Sequence, residues 1–161
     1  MDKKVITMNP IGIINSPYRE LKAMPIQGRF KPDVTANVEL QEEYIAGLKD
    51  LDNFSHAIII YHFHKSQKVQ IESSPFLEDK KHGIFAIRSP HRPNHIGFSV
   101  VKIEKIENNK LYFREVDVLD GTPVLDIKPY VKHFDIREKI VSGWLDKHFE
   151  SADMPDKTIL K

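Results

Sequence analysis

The chain has 161 residues, 40% of them apolar and 29% charged, which suits one globular domain with its own core and is too apolar for a disordered segment. Its 24 Lys and Arg stand against 23 Asp and Glu, and a net charge of +1 argues against a polybasic tail or a general nucleic-acid coat. The absence of cysteine excludes disulfide frameworks, thiolate zinc sites, iron–sulfur centres and cysteine nucleophiles.

The N-terminal residues lack the apolar run and small-residue cleavage site of a signal peptide, and the most hydrophobic stretch, residues 57–63, is far shorter than the roughly 20 residues of a membrane-crossing helix. A cytoplasmic protein is expected. Residues 11–14 read as a short strand stopped by Ser16-Pro17, because proline cannot donate to a ladder. A long loop follows to about Val34, carrying Pro17, Pro25, Pro32 and Gly28. Leu40, Tyr44, Leu48 and Leu51 recur at roughly helical spacing and predict a short helix.

Residues 55–64, rich in β-branched and aromatic types, predict a strand buried on both faces. His56, His62 and His64 share one parity there, but no further ligand spacing completes a metal site, so hydrogen-bonded strand histidines are expected and no metal. Residues 65–80 read as a loop and residues 83–88 as another strand, halted by Pro90 and Pro93. Residues 98–106 and 111–119 carry strand character around Asn108-Asn109, a plausible hairpin turn since asparagine tolerates positive φ. Residues 124–127 add one more strand. Ile140, Val141, Trp144, Leu145 and Phe149 predict an amphipathic helix, with a frayed tail behind it. Five or six short strands with few helices favour a mainly β (α+β) fold, a compact antiparallel β-barrel with short peripheral helices. The expected division is a barrel domain over 1–136 and a C-terminal helix and tail over 137–161.

No two of the seven glycines lie within ten residues of each other, which excludes G-x-G-x-x-G turns, P-loops and G-x-S-x-G elbows; H-E-x-x-H is also absent. Two stretches carry unusual chemistry. Residues 88–99 set Arg88, His91, Arg92 and His95 on a proline-stiffened loop, and residues 80–105 carry six Lys and Arg against one Glu, +5, which leaves −4 for the remainder. Such a segment can present a phosphate or carboxylate site, and equally a solvated basic loop. Residues 117–130 hold Asp117, Asp120 and Asp126 around an Asp-Gly-Thr-Pro turn. On an unbroken strand Leu111, Phe113, Glu115 and Asp117 share a face that runs from apolar to acidic, suited to a hydroxyl, an amine or a cationic sulfur centre.

In this order, residues 11–18, Gly47-Leu48 with 51–56, Phe63-His64, 83–89, Arg92-Pro93-Asn94, Ile96-Gly97 with Ser99, and 117–130 resemble the TsaA-like family of S-adenosylmethionine-dependent tRNA methyltransferases acting on N6-threonylcarbamoyladenosine. The resemblance implies a β-barrel methyltransferase working as a homodimer, with S-adenosylmethionine near the subunit interface and the tRNA anticodon loop as substrate. It places cofactor contacts on Gln27, Gly28, His64, Lys65, Arg88, Phe98, Glu115, Val116 and Asp117. Bacterial members carry a further C-terminal domain, so the chain is expected to be a minimal form. Asp126, Lys128 and Tyr130, of one parity, are the candidates for proton handling or for the threonyl carboxylate, although Asp126 and Lys128 can also simply pair with each other. Arg92 and Asn94 are the candidates for holding the anticodon loop. The rival readings are a non-enzymatic RNA- or nucleotide-binding barrel and a small-molecule methyltransferase.

Overall fold

Alternation of inward and outward side chains builds most of the strands. The computed structural model describes residues 4–22 and 24–149. Strand β1, Gly12–Asn15, buries Gly12 and Ile14 and turns Ile13 and Asn15 outward. Strand β2, Thr35–Leu40, buries Ala36, Val38 and Leu40 by the same period of two. The helix predicted from Leu40 therefore starts later: two 3-10 turns, Glu42–Leu48 and Leu51–Asn53, follow the strand, separated where Asp50 takes φ 65°. Asn37 and Glu39, poor strand formers on the outer face, mask the alternation in the sequence.

Strand β3, His56–His62, buries Ala57, Ile59 and Tyr61 but leaves His56, Ile58, Ile60 and His62 partly exposed, so one face is buried rather than both. Among the described residues no His, Asp and Glu gather in threes as metal ligands. The strand predicted over 83–88 is replaced by a two-residue pairing of β4, Glu72–Ser73, with β5, His82–Gly83, and a 3-10 turn, Ile84–Ala86. The period there is three: Ile84 and Ile87 are buried, Phe85 and Ala86 exposed.

Strands β6, Ile96–Glu107, and β7, Lys110–Arg114, form the hairpin expected at Asn108-Asn109; Glu107 pairs with Lys110, and Asn108 has φ 54°. Strand β7 stops at Arg114, not at Leu119, because Glu115 turns to φ 66°. Strand β8, Thr122–Pro129, precedes a single turn α1, Lys132–Asp135. The amphipathic helix predicted over 140–149 is only a 3-10 turn, Gly143–His148; Lys139 and Gly143 have positive φ, and Ile140 and Val141 are exposed. The tail beyond Phe149 lies outside the described residues.

Six strands close into the expected antiparallel barrel, in the order β1-β2-β7-β6-β3-β8. Closure leaves no unpaired edge. Ile14, Val38, Ile59, Val101, Leu111, Phe113 and Val124 fill the interior, and burying each large side chain contributes about 1.5–3 kcal/mol. The β3–β8 register slips once: Tyr61 faces Val124, whereas Ile60 faces Asp126, so Leu125 is an extra residue in a bulge. As a result Val124 and Ile127 both face the core while Asp126 and Lys128 point outward. No helix among the described residues is long and apolar enough to cross a membrane.

Candidate active site

The bend at Glu115 brings the acidic end of the β7 segment back over one mouth of the barrel. Asp117 there accepts a 2.5 Å hydrogen bond from the Ser99 hydroxyl and a 3.1 Å bond from the Gly28 backbone N–H. Ser99 is inward-facing on β6 and lies 3.1 Å from the Tyr61 hydroxyl of β3. Desolvation pushes the Asp117 carboxyl above the usual carboxylate range, against the pull of the Ser99 and Gly28 donors and the Arg88 charge. Burial, and then the Asp117 charge, push the Tyr61 phenol well above its ordinary value. Gly28 touches this segment so closely that a Cβ would sit 1.7 Å from the Glu115 carbonyl oxygen.

Arg88 approaches the same network from outside. Its Nη1 donates to Gln27 Oε1 at 3.2 Å, and its guanidinium carbon lies 4.9 Å from the centre of the Phe98 ring, which is 45% exposed. Gln27, Gly28, Arg88, Phe98, Glu115, Val116 and Asp117, distant in sequence, thus form one connected surface with an exposed cation, an exposed aromatic ring and an enclosed carboxylate.

His64 and Lys65 lie on a second flank, just past the end of β3. His64 Nδ1 is 3.4 Å from the Thr122 hydroxyl, which itself donates to the Leu119 carbonyl; Lys65 donates to the Arg19 carbonyl at 2.9 Å. Burial first, then the Lys65 and His62 charges, hold the His64 imidazole below its usual value and favour its neutral form. The loop between the flanks is tied down by Ser16 N–H to Asp120 Oδ1 at 3.0 Å and Asp120 N–H to the Tyr18 carbonyl at 2.7 Å. Burial and the Asp117 charge raise the Tyr18 phenol.

Asp126 and Lys128 form an exposed ion pair of 2.6 Å on the outer wall. Their register matters more than their pairing. Phe98 of β6 lies opposite Ile60 of β3, and Ile60 lies opposite Asp126 of β8, so the three form one row across neighbouring strands. Two strand spacings separate Phe98 from Asp126, about 10 Å. Asp126 also borders a groove lined by Ile11, Tyr44, Leu48 and Phe54. Tyr130 lies further along, its ring edge-on to His56 at 6.3 Å. Arg92 donates to the Ile87 carbonyl at 3.1 Å, and Asn94 is exposed with φ 64°.

Ser99 and Tyr61 had no assigned role in the sequence reading, yet they complete the Asp117 network. The available signal was Ser99's position: a hydroxyl on the inward phase of a strand, between apolar Gly97 and Val101. Such a group needs a buried partner.

Comparisons with known proteins converge. Residues 13–136 match the profile of the family described as tRNA-methyltransferase O N-terminal domain. A Pyrococcus abyssi protein named a probable S-adenosyl-L-methionine-binding protein is 49% identical over 149 residues, covering 92% of this chain and 81% of that one. The human tRNA (adenine(37)-N6)-methyltransferase is 36% identical over 157 residues, 93% of this chain and 36% of its own length. The crystal structure of TrmO from Pseudomonas aeruginosa superposes with a TM-score of 0.75 at 35% identity, covering 88% of this chain and 63% of that one. This chain therefore spans about a third of the human relative and under two thirds of the Pseudomonas protein.

Proposed function

We propose, from the premise that the chain belongs to the tRNA-methyltransferase O N-terminal domain family, that it is an S-adenosylmethionine-dependent methyltransferase acting in the cytoplasm on N6 of N6-threonylcarbamoyladenosine in the tRNA anticodon loop. The donor set suits the cofactor: Arg88 offers a planar fork for its carboxylate, the exposed Phe98 ring a face for its cationic or aromatic portion, and Asp117 with Gln27 polar partners for its amine or ribose. His64 and Lys65 are assigned to the second flank of the same site, with Gly28, Glu115 and Val116 supplying close-packed backbone. When bound, S-adenosylmethionine supplies an electrophilic methyl group.

The protein's remaining task is alignment and removal of a proton from a weak, urea-like nitrogen. The observation that carries this reading is the row Phe98–Ile60–Asp126, which holds a carboxylate about 10 Å from the assigned cofactor surface on the same outer wall. An unstacked base lying in the groove of Tyr44 and Phe54 would present N6 to Asp126. Asp126 then accepts the N6 proton, Lys128 steadies the ionised carboxylate, and Tyr130 stands next in the line for the threonyl group. Asn94 and the free guanidinium nitrogens of Arg92 face the anticodon-loop phosphates. The exposed Phe85, Phe134 and Ile136 are apolar surface that a second copy of the chain would cover in a homodimer.

The test is incubation with labelled S-adenosylmethionine and tRNA bearing the threonylcarbamoyl group, followed by nucleoside digestion. Label in the modified adenosine is expected. Cofactor binding with no labelled tRNA would point to a small-molecule methyltransferase, and salt-dependent RNA binding without cofactor to a non-enzymatic barrel.

A further inference from the structure

Beyond residue 136, where the family match ends, a described segment of the chain comes back onto the residues that precede Arg88. The 3-10 turn Gly143–His148 docks on the loop that leads into Arg88. Glu78, whose side chain is only 11% exposed, is the centre of the contact: Oε1 meets His82 Nε2 at 2.5 Å, while Oε2 pairs with Lys147 and lies 3.4 Å from His148 Nε2. The Trp144 ring stacks on His82 at 4.8 Å between centroids, with 24° between planes, and takes His148 edge-on at 6.0 Å. Its indole N–H donates to the Ala86 carbonyl at 2.9 Å. The next carbonyl, that of Ile87, accepts from Arg92, and Ile87 itself is buried.

Both ends of the segment 78–86 are thus held by the same C-terminal turn, and Arg88 follows two residues after the pinned carbonyl. Arg88's own side chain is exposed, and among the described residues its close contacts are the 3.2 Å hydrogen bond to Gln27 and the Phe98 ring. Its placement over Phe98 therefore depends on the backbone from which it projects. We propose that Trp144 and Glu78 are positioning residues for Arg88, and that the C-terminal turn is a brace setting the cofactor-facing cation; this deepens, and rests on, the methyltransferase reading above. Ionisation of Glu78 fits that role, since hydrogen bonds from Lys147 and His82 hold its carboxyl down at about 2.

Two measurements on the full chain test the brace. In amide hydrogen exchange, Trp144→Ala should speed exchange of the Ile87 amide, which bonds the Ile84 carbonyl, about tenfold, leaving Ile59 in β3 as in the wild type. In calorimetry, Trp144→Ala should weaken S-adenosylmethionine about tenfold when Arg88 is present and add nothing in an Arg88→Ala background. Unchanged Ile87 exchange, or the same affinity loss in both backgrounds, would overturn the proposal, because a general packing defect does not distinguish them. Should Trp144→Ala not fold, Glu78→Gln carries the same two comparisons. If the wild-type chain bound no S-adenosylmethionine, the cofactor reading would fall, and the exchange measurement would decide the brace by itself.

Discussion

Gly28→Ala introduces one methyl group at the tightest contact in the assigned cofactor surface. The added Cβ would lie 1.7 Å from the Glu115 carbonyl oxygen, 2.2 Å from its carbonyl carbon and 2.9 Å from the Val116 nitrogen. All three are backbone atoms, so no flexible side chain can swing away. Bringing the nearest contact out to 3.0 Å needs a retreat of about 1.3 Å, which the 3.1 Å bond from Gly28 N–H to Asp117 does not survive. Gly28 has no positive φ, so the effect is steric and not conformational. A hydrogen bond to a charged group contributes about 1.5–3 kcal/mol to stability. Thermal unfolding of the cofactor-free protein should therefore show a midpoint lowered by a loss of about that size, and isothermal titration with S-adenosylmethionine weaker binding, because Asp117 is displaced from its place in the assigned site. Wild-type affinity together with a wild-type midpoint would refute the reasoning, because it would mean that the Gly28 loop moves freely without consequence for Asp117.

Asp117→Asn should weaken cofactor binding while removing a pH dependence. Desolvation raises the folded-state pKa of Asp117, so the folded protein holds this proton more tightly than the unfolded chain, and wild-type stability falls as pH rises from about 3.8 through the raised value. The Asn variant should lack that decline, which unfolding midpoints measured across the acid range will show; an equal decline in both proteins would remove Asp117 as its source. Asp126→Asn should spare cofactor affinity and slow tRNA methylation by about 10² to 10⁴. A wild-type rate would remove Asp126 from the mechanism.

Much of the barrel was legible because strand-forming residue types mark it, as the β-branched and aromatic run over residues 55–64 does even though only one of its faces is buried, and because Asn108-Asn109 marks a hairpin turn. Errors arose where another force set the local period. Ile84 and Ile87 are apolar but open and follow a 3-10 turn, and Glu115 breaks a strand while apolar residues continue past it at Val116, Val118 and Leu119. The candidate site was legible as a set of residue types, through Arg88 and the acidic stretch, but its hydrogen-bond connections were not. Asp117 meets Gly28 across 89 residues and Ser99 across 18, and the pairing of β7 with β2 on one side and β6 on the other brings them together. Trp144, legible only as part of an amphipathic pattern, stacks on His82.

The single extra residue at Leu125 has a consequence for how the chain tolerates length changes. Upstream of it β8 is in one phase and downstream in the other, which is why Val124 can fill the interior two positions before Asp126 reaches the outer wall. Loss of Leu125 would only erase the bulge: Val124 opposite Tyr61, Asp126 opposite Ile60 and Ile127 opposite Ile59 would follow one another in unbroken alternation. A residue inserted into β3 opposite Leu125 would do the same from the other side. The wall of the barrel thus holds one residue of slack at this point, and a change of length there is absorbed where a charged side chain in place of Val124 would not be.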